Sequence, residues 1–235
     1  MTSTSPRTDV RFASSGSAHY GVLLAVFATV LVVSNIVASK PIEIGSGSLN
    51  LGPVQAWPLI IDGGAVLFPL AYVLGDVISE VYGFRAARRA IFTGFACAVL
   101  AVATFFVVEQ IPGASFYGNQ AAYEAVLGPV AQIVLASVVG YVCGQLTNAW
   151  VLTRMKARSA ERRLVARLAS STGAGEMVDT FLFCAIAATA IGIADVGSFV
   201  NYFVVGVVLK VLVELAVMPI TVAVIARLKA AEPSY

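Results

Sequence analysis

The stretch "LGDVISEVYGFRAARRA", residues 74–90, sets Asp76 and Glu80 just ahead of Arg85, Arg88 and Arg89, between two long apolar runs. Lys and Arg collect on the cytoplasmic side of membrane-crossing segments. This stretch therefore reads as the place where the chain leaves the bilayer inside the cell and turns back. Composition agrees with a chain that lives in lipid. Of 235 residues, 59% are hydrophobic and 12% charged, at a mean hydropathy of +0.88. A soluble domain carries about a quarter charged residues, so this chain lacks the polar surface to cover a soluble globule. It reads as an all-α polytopic membrane protein. His19 is the sole histidine, which leaves no metal-ligand cluster, and no metal or cofactor is expected. Cys97, Cys143 and Cys184 lie inside apolar segments and read as small core hydrophobes rather than a disulfide framework.

Working outward, apolar runs of about 20 residues place six spans near 19–38, 57–82, 90–110, 122–152, 176–194 and 200–226. Thirteen of the fifteen basic residues then fall on alternate connections. Arg7 and Arg11 precede span 1, the Arg85 group follows span 2, and Arg154, Lys156, Arg158, Arg162, Arg163 and Arg167 fill the 4–5 connection. Arg227 and Lys229 follow span 6. That asymmetry predicts six spans with both termini cytoplasmic in a multi-pass inner-membrane protein. Residues 1–15 read as a disordered tail, 16–228 as the transmembrane domain and 229–235 as a second tail. No cleavable secretory signal is expected, because the first apolar run is full length. Outside, "IEI" and "LNL" alternate across "GSGS" within residues 39–56, as a short hairpin or a lid would.

Polar side chains at membrane depth are costly, which makes them functional candidates. Asn35 and Lys40 sit near the outer end of span 1. Asp76 and Glu80 stand one turn apart in span 2, with salt bridges to Arg85, Arg88 or Arg89 as the expected partners. Gln145 and Asn148 share a face of span 4 and would serve equally as hydrogen-bond glue between helices. Glu176 and Asp179 open span 5, where a helix N-terminus favours carboxylates in any case. Lys210 and Glu214 lie one turn apart in span 6, open to pairing within that helix. Polar groups from five of the six helices imply a shared cavity. Carboxylates, amides and a lysine can address the edges of a planar heterocycle, and Trp57, Phe68, Tyr72, Phe181, Phe183, Tyr202 and Phe203 offer stacking faces. A nucleobase-like solute, a vitamin and an amino-acid-like solute all fit that chemistry.

"SNIVASK" in span 1, "FPLAYVLGDVISEVYGFRAARRAI" around span 2, "GQLTN" in span 4, "RLASSTGAGEMVDTFLF" around span 5 and "LKVLVELAVMPIT" in span 6 resemble the queuosine precursor transporter family. That family is also described as vitamin-uptake transporters. The resemblance implies a fold similar to the substrate-binding subunits of energy-coupling-factor transporters. It implies uptake of the deazapurine bases 7-cyano-7-deazaguanine and 7-aminomethyl-7-deazaguanine, without an ATPase module. It also implies a substrate site of Asn35, Lys40, Gln145, Asn148, Glu176, Asp179 and Lys210. By analogy with the inner-side charge motifs of other transporters, Asp76 and Glu80 with Arg85, Arg88 and Arg89 would form a gate. The chain departs from the family pattern at Asn148 and Glu176, where many relatives carry Asp and Gln.

A vitamin-binding subunit that needs an ATPase partner is the alternative within transport, although span 1 offers only Ala25 and Ala28 as a docking motif. An intramembrane enzyme would need a nucleophile with its base or a metal triad, and the sequence assembles neither. The expectation is a non-enzyme that binds a small solute and the lipid bilayer, with no nucleic-acid partner. A homodimer is compatible with this reading.

Overall fold

Gly83 breaks the longest helix. In the computed structural model it adopts φ 82° and ψ 174°, a backbone region that is essentially glycine-only. The break divides α2 (Phe68–Glu109) within the charged stretch that the sequence marks as a turn. The structure describes residues 11–37, 40–51, 54–127, 131–159, 162–187 and 196–235. Around α2 stand α1 (Ala18–Val37), the short α3 (Gln120–Leu127), α4 (Ala131–Ser159), α5 (Leu164–Ala187) and α6 (Val196–Ala231). Among the described residues, α1, α2 and the Phe203–Ala231 part of α6 are long and apolar enough to cross a membrane. Helices α4 and α5 carry buried polar side chains, among them Gln145, Asn148, Glu176 and Asp179.

Several boundaries depart from the spans read in the sequence. Residues 57–62, expected to open span 2, instead belong to β2 (Val54–Asp62), antiparallel to β1 (Pro41–Leu51). The fold is therefore helical with one hairpin. The expected hairpin folded about "GSGS", but Ile44 and Leu49 lie in one strand and the register shifts between them. The glycines bulge the strand rather than turn it. Helix α5 starts at Leu164, so Glu176 and Asp179 lie mid-helix and not at an N-terminus. Stabilisation by the helix dipole does not account for them.

The core forms where α1, α2, α4, α5 and α6 meet, with Phe27, Val77, Ile78, Leu152, Leu168 and Ile225 fully buried. Large apolar side chains such as Leu100, Phe106, Leu212 and Ile220 point outward, as lipid-facing positions do. Residues 11–15, expected to belong to a disordered tail, pack on the α2 break instead. Ala13 N–H donates to the Val81 carbonyl at 2.8 Å, and a Cβ on Gly83 would come within 3.2 Å of the Phe12 ring. Residues 1–10 of that tail lie outside the described residues. Gly83→Ala is expected to cost about 1–3 kcal/mol of stability, read by thermal unfolding in detergent. An unchanged unfolding temperature would show that the break tolerates a side chain.

The two ends of the chain meet at Glu232. Its Oε1 accepts hydrogen bonds from Ser17 Oγ at 2.7 Å and Tyr82 Oη at 2.5 Å, and His19 Nδ1 lies at 3.2 Å. Burial pushes the Glu232 carboxyl up, but the hydrogen bonds from Tyr82 and Ser17 and the His19 ring outweigh it and hold the group below its ordinary value. With the folded-state value depressed, this stabilisation is present above the ordinary carboxylate range and lost as pH falls through the folded value. Hydrogen exchange at residues 13–17 should accelerate below about pH 4. Glu232→Gln should exchange fast at every pH, and equal protection in both proteins would refute the latch.

Candidate functional site

The buried polar groups form two layers, because α2, α4, α5 and α6 each carry one set at mid-length and another toward the ends that meet near Gly83. Glu80, on the last turn before the break, is fully buried and centres the layer beside the break. Its Oε1 accepts Arg167 Nη2 at 2.6 Å and Lys229 Nζ at 2.8 Å, with Lys156 Nζ at 3.4 Å. Lys156 also donates to the Glu80 carbonyl at 2.7 Å and to Tyr235 Oη at 2.8 Å. Its ammonium sits 4.7 Å from the Phe12 ring centre, a cation–π distance. Four helices are thus tied to one carboxylate.

The expected partners of Glu80 were Arg85, Arg88 and Arg89, and the structure corrects this. Those arginines lie beyond the break, exposed, on a face of α2 that also carries Phe92, Ala96 and Leu100. Asp76 pairs with none of them either. Its Oδ1 accepts Asn148 Nδ2 at 2.6 Å.

Nine residues along α5 from Arg167, about 13 Å at 1.5 Å per residue, lies the second layer, at the middle of the helix. Lys210 Nζ reaches Asp179 Oδ2 at 2.5 Å and Glu176 Oε2 at 3.4 Å. It therefore clamps α6 to α5 rather than pairing with Glu214 within α6. The same ammonium stands 4.8 Å from the Phe68 ring centre. Phe68 packs on Tyr72 at 4.5 Å, and Tyr72 meets Tyr141 edge-on at 5.9 Å. Gln145 Nε2 donates to Tyr141 Oη at 3.1 Å. Around this clamp, Gln145 Oε1 and Thr180 Oγ1 are buried without a hydrogen-bond partner, and Tyr72 faces the Glu176 carboxylate. Unpartnered buried polar atoms are costly, which makes this level the candidate site for a polar ligand.

Glycines let α4 and α5 approach closely enough to present this set. A Cβ on Gly144 would lie 2.7 Å from Asp179 Cβ, and one on Gly175 would lie 2.9 Å from Asn148 Cβ. Gly144→Leu is therefore expected to push Asp179 off Lys210 and cost about 1–3 kcal/mol by overpacking. Loss of solute binding beside a lowered unfolding temperature would show it, and unaltered binding would count against the close approach.

Of the seven expected substrate residues, Gln145, Glu176, Asp179 and Lys210 come together here, with Asn148 joined through Asp76. Asn35 and Lys40 do not. The Asn35 amide donates to the Leu31 carbonyl of its own helix at 3.0 Å, and Lys40 is exposed. The side chains of Trp57 and Tyr202 lie outside the described residues. Sequence reasoning passed over Tyr141 and Thr180. Lys156, Arg167 and Lys229 figured there only as topological charges, although their positions at the ends of otherwise helical runs were a usable signal.

Three comparisons with known proteins bear on this arrangement. The family described as "Putative vitamin uptake transporter" matches residues 62–224. A Bacillus subtilis protein named "Probable queuosine precursor transporter" is 27% identical over 167 residues, covering 71% of this chain and 72% of that protein. A Haemophilus influenzae protein of the same name is 28% identical over 158 residues, covering 67% of this chain and 65% of its own length. No solved structure matches significantly.

Proposed function

This chain belongs to the putative vitamin uptake transporter family, and from that premise we propose that it imports 7-deazaguanine precursors of queuosine across the inner membrane. The observation that carries the reading is the Lys210 clamp on Glu176 and Asp179, set beside the buried, unpartnered Gln145 amide oxygen and Thr180 hydroxyl. A guanine-like edge presents two adjacent N–H donors and a carbonyl acceptor. One carboxylate takes the two donors, a lysine or amide serves the carbonyl, and Phe68 and Tyr72 offer ring faces. The names of the two similar proteins from Bacillus subtilis and Haemophilus influenzae point the same way.

In this reading the two halves of α2 count as separate spans, so α1, α2, α4, α5 and α6 supply six crossings with both termini inside. The fold then parallels the substrate-binding subunits of energy-coupling-factor transporters, but works without an ATPase. Glu80 and its three cations close the inner mouth and part when the solute is released. Asn35 and Lys40 line the outer approach, and Arg85, Arg88 and Arg89 anchor the inner turn.

Calorimetric titration of the purified protein with 7-cyano-7-deazaguanine, with riboflavin and biotin as controls, tests the proposal. Saturable binding that disappears in Glu176→Ala and Asp179→Ala supports it. Binding of a vitamin in place of the deazaguanine would favour a vitamin carrier.

A further inference from the structure

Lys156, Arg167 and Lys229 all serve Glu80, whereas Arg85, Arg88 and Arg89 are exposed. Among the described residues no carboxylate forms a salt bridge with any of these three. The chain holds no acidic residue between Glu80 and Glu109 either. The three arginines open a groove of about 550 Å³ that runs on past Phe92 and Ala96 to Leu100. At 3.6 residues per turn, these positions lie on the side of α2 away from Gly94, which packs against Phe27 and Leu31 of α1. Ala87 and Ala90, on the Gly94 side, are buried, while Phe92 and Leu100 are exposed.

The dimensions fit one leaflet of a bilayer. From Arg85 to Leu100 the helix rises about 22 Å at 1.5 Å per residue. Half of a bilayer, headgroups included, is about 20–22 Å. Since α2 is long and apolar enough to cross a membrane, guanidiniums at headgroup level leave Phe92, Ala96 and Leu100 beside acyl chains. Guanidinium forks suit a phosphate, which they can grip through paired hydrogen bonds. A soluble anion would leave the apolar length of the groove unfilled. A zwitterionic lipid would bring its ammonium up against three like charges.

We propose that this face of α2 is a binding site for an anionic phospholipid. Its phosphodiester sits on Arg85, Arg88 and Arg89, and an acyl chain lies along Phe92, Ala96 and Leu100, with Ala96 supplying the recess. Arg85 follows the Gly83 break by two residues, so a headgroup held there braces the turn between the two halves of α2. Basic pockets at the membrane edge take anionic headgroups in just this way.

Quenching of a tryptophan in the groove by brominated lipid tests the site, and no transported solute enters the measurement. The reporter carries Phe92→Trp with Trp57→Phe and Trp150→Phe, in phosphatidylcholine vesicles containing brominated phosphatidylglycerol or brominated phosphatidylethanolamine. Phosphatidylglycerol should reach half-maximal quenching at a mole fraction at least about fivefold lower, the factor that one basic residue near an anionic surface is worth. Adding Arg85→Gln, Arg88→Gln and Arg89→Gln together should erase that preference. Equal quenching by the two lipids overturns the proposal, and that comparison needs no arginine variant to fold. A preference that survives the triple replacement in folded protein overturns it too. Glycerol 3-phosphate at millimolar concentration should leave the quenching unchanged, and relief of quenching would assign the arginines to a soluble phosphate instead.

Discussion

Glu80→Gln should destabilise the protein by about 3–5 kcal/mol, the range for breaking a buried ion pair from one side. The reason is the imbalance it leaves. Lys156 and Arg167 are as buried as Glu80 itself, and Lys229 keeps little solvent contact. An amide offers all three a dipole where they held a charge. Thermal or denaturant unfolding in detergent reads the loss. Glu80→Asp should recover part of it, because the charge survives on a shorter stem. If the layer is also the inner gate, Glu80→Gln opens the inner mouth. A cysteine placed near Tyr235 should then label faster from the cytoplasmic side. A variant with wild-type stability and labelling would remove Glu80 from both roles.

Lys210→Met should have the second-largest effect, this time on binding. It strands Glu176 and Asp179, two buried carboxylates on one face of α5, without their cation. Truncating one member of such a pair costs about 2–5 kcal/mol, and the lower end applies because the Lys210 side chain keeps 31% of its surface exposed. An affinity loss of about thirtyfold for the deazaguanine corresponds to that lower figure. Adding Asp179→Asn should restore much of the stability but none of the affinity, which separates a structural clamp from a binding group. Wild-type affinity in Lys210→Met would dismiss the clamp as a solute site.

Much of this was legible before any coordinates. Apolar runs located the helices, and polar residues within them named Gln145, Glu176, Asp179 and Lys210, because side chains of that cost in lipid need a reason to be there. The partners were less legible. Residues 85–89 lie nearest to Glu80 in sequence, but the Gly83 break turns those arginines outward, and the true partners come from three other helices. Helix α5 was foreshortened because "RLVARLASSTGAGEM" scores as a loop by hydropathy, although its small residues are what allow α4 to approach. Asn35 was drawn toward the cavity by its depth and by the family resemblance. Its rotation turns the amide back on its own helix, which only packing decides.

The Glu80 layer also sets a schedule for synthesis. Its carboxylate enters the bilayer with α2, but Arg167 follows 87 residues later and Lys229 149 residues later. At 5–20 residues per second, the last cation leaves the ribosome about 7–30 s after Glu80. Glu80 lacks all three cations at first, and Lys229 is still missing after Lys156 and Arg167 have been made. A nascent chain stalled before α6 should therefore be exposed to membrane quality control, and completion of the last helix is the event that releases it.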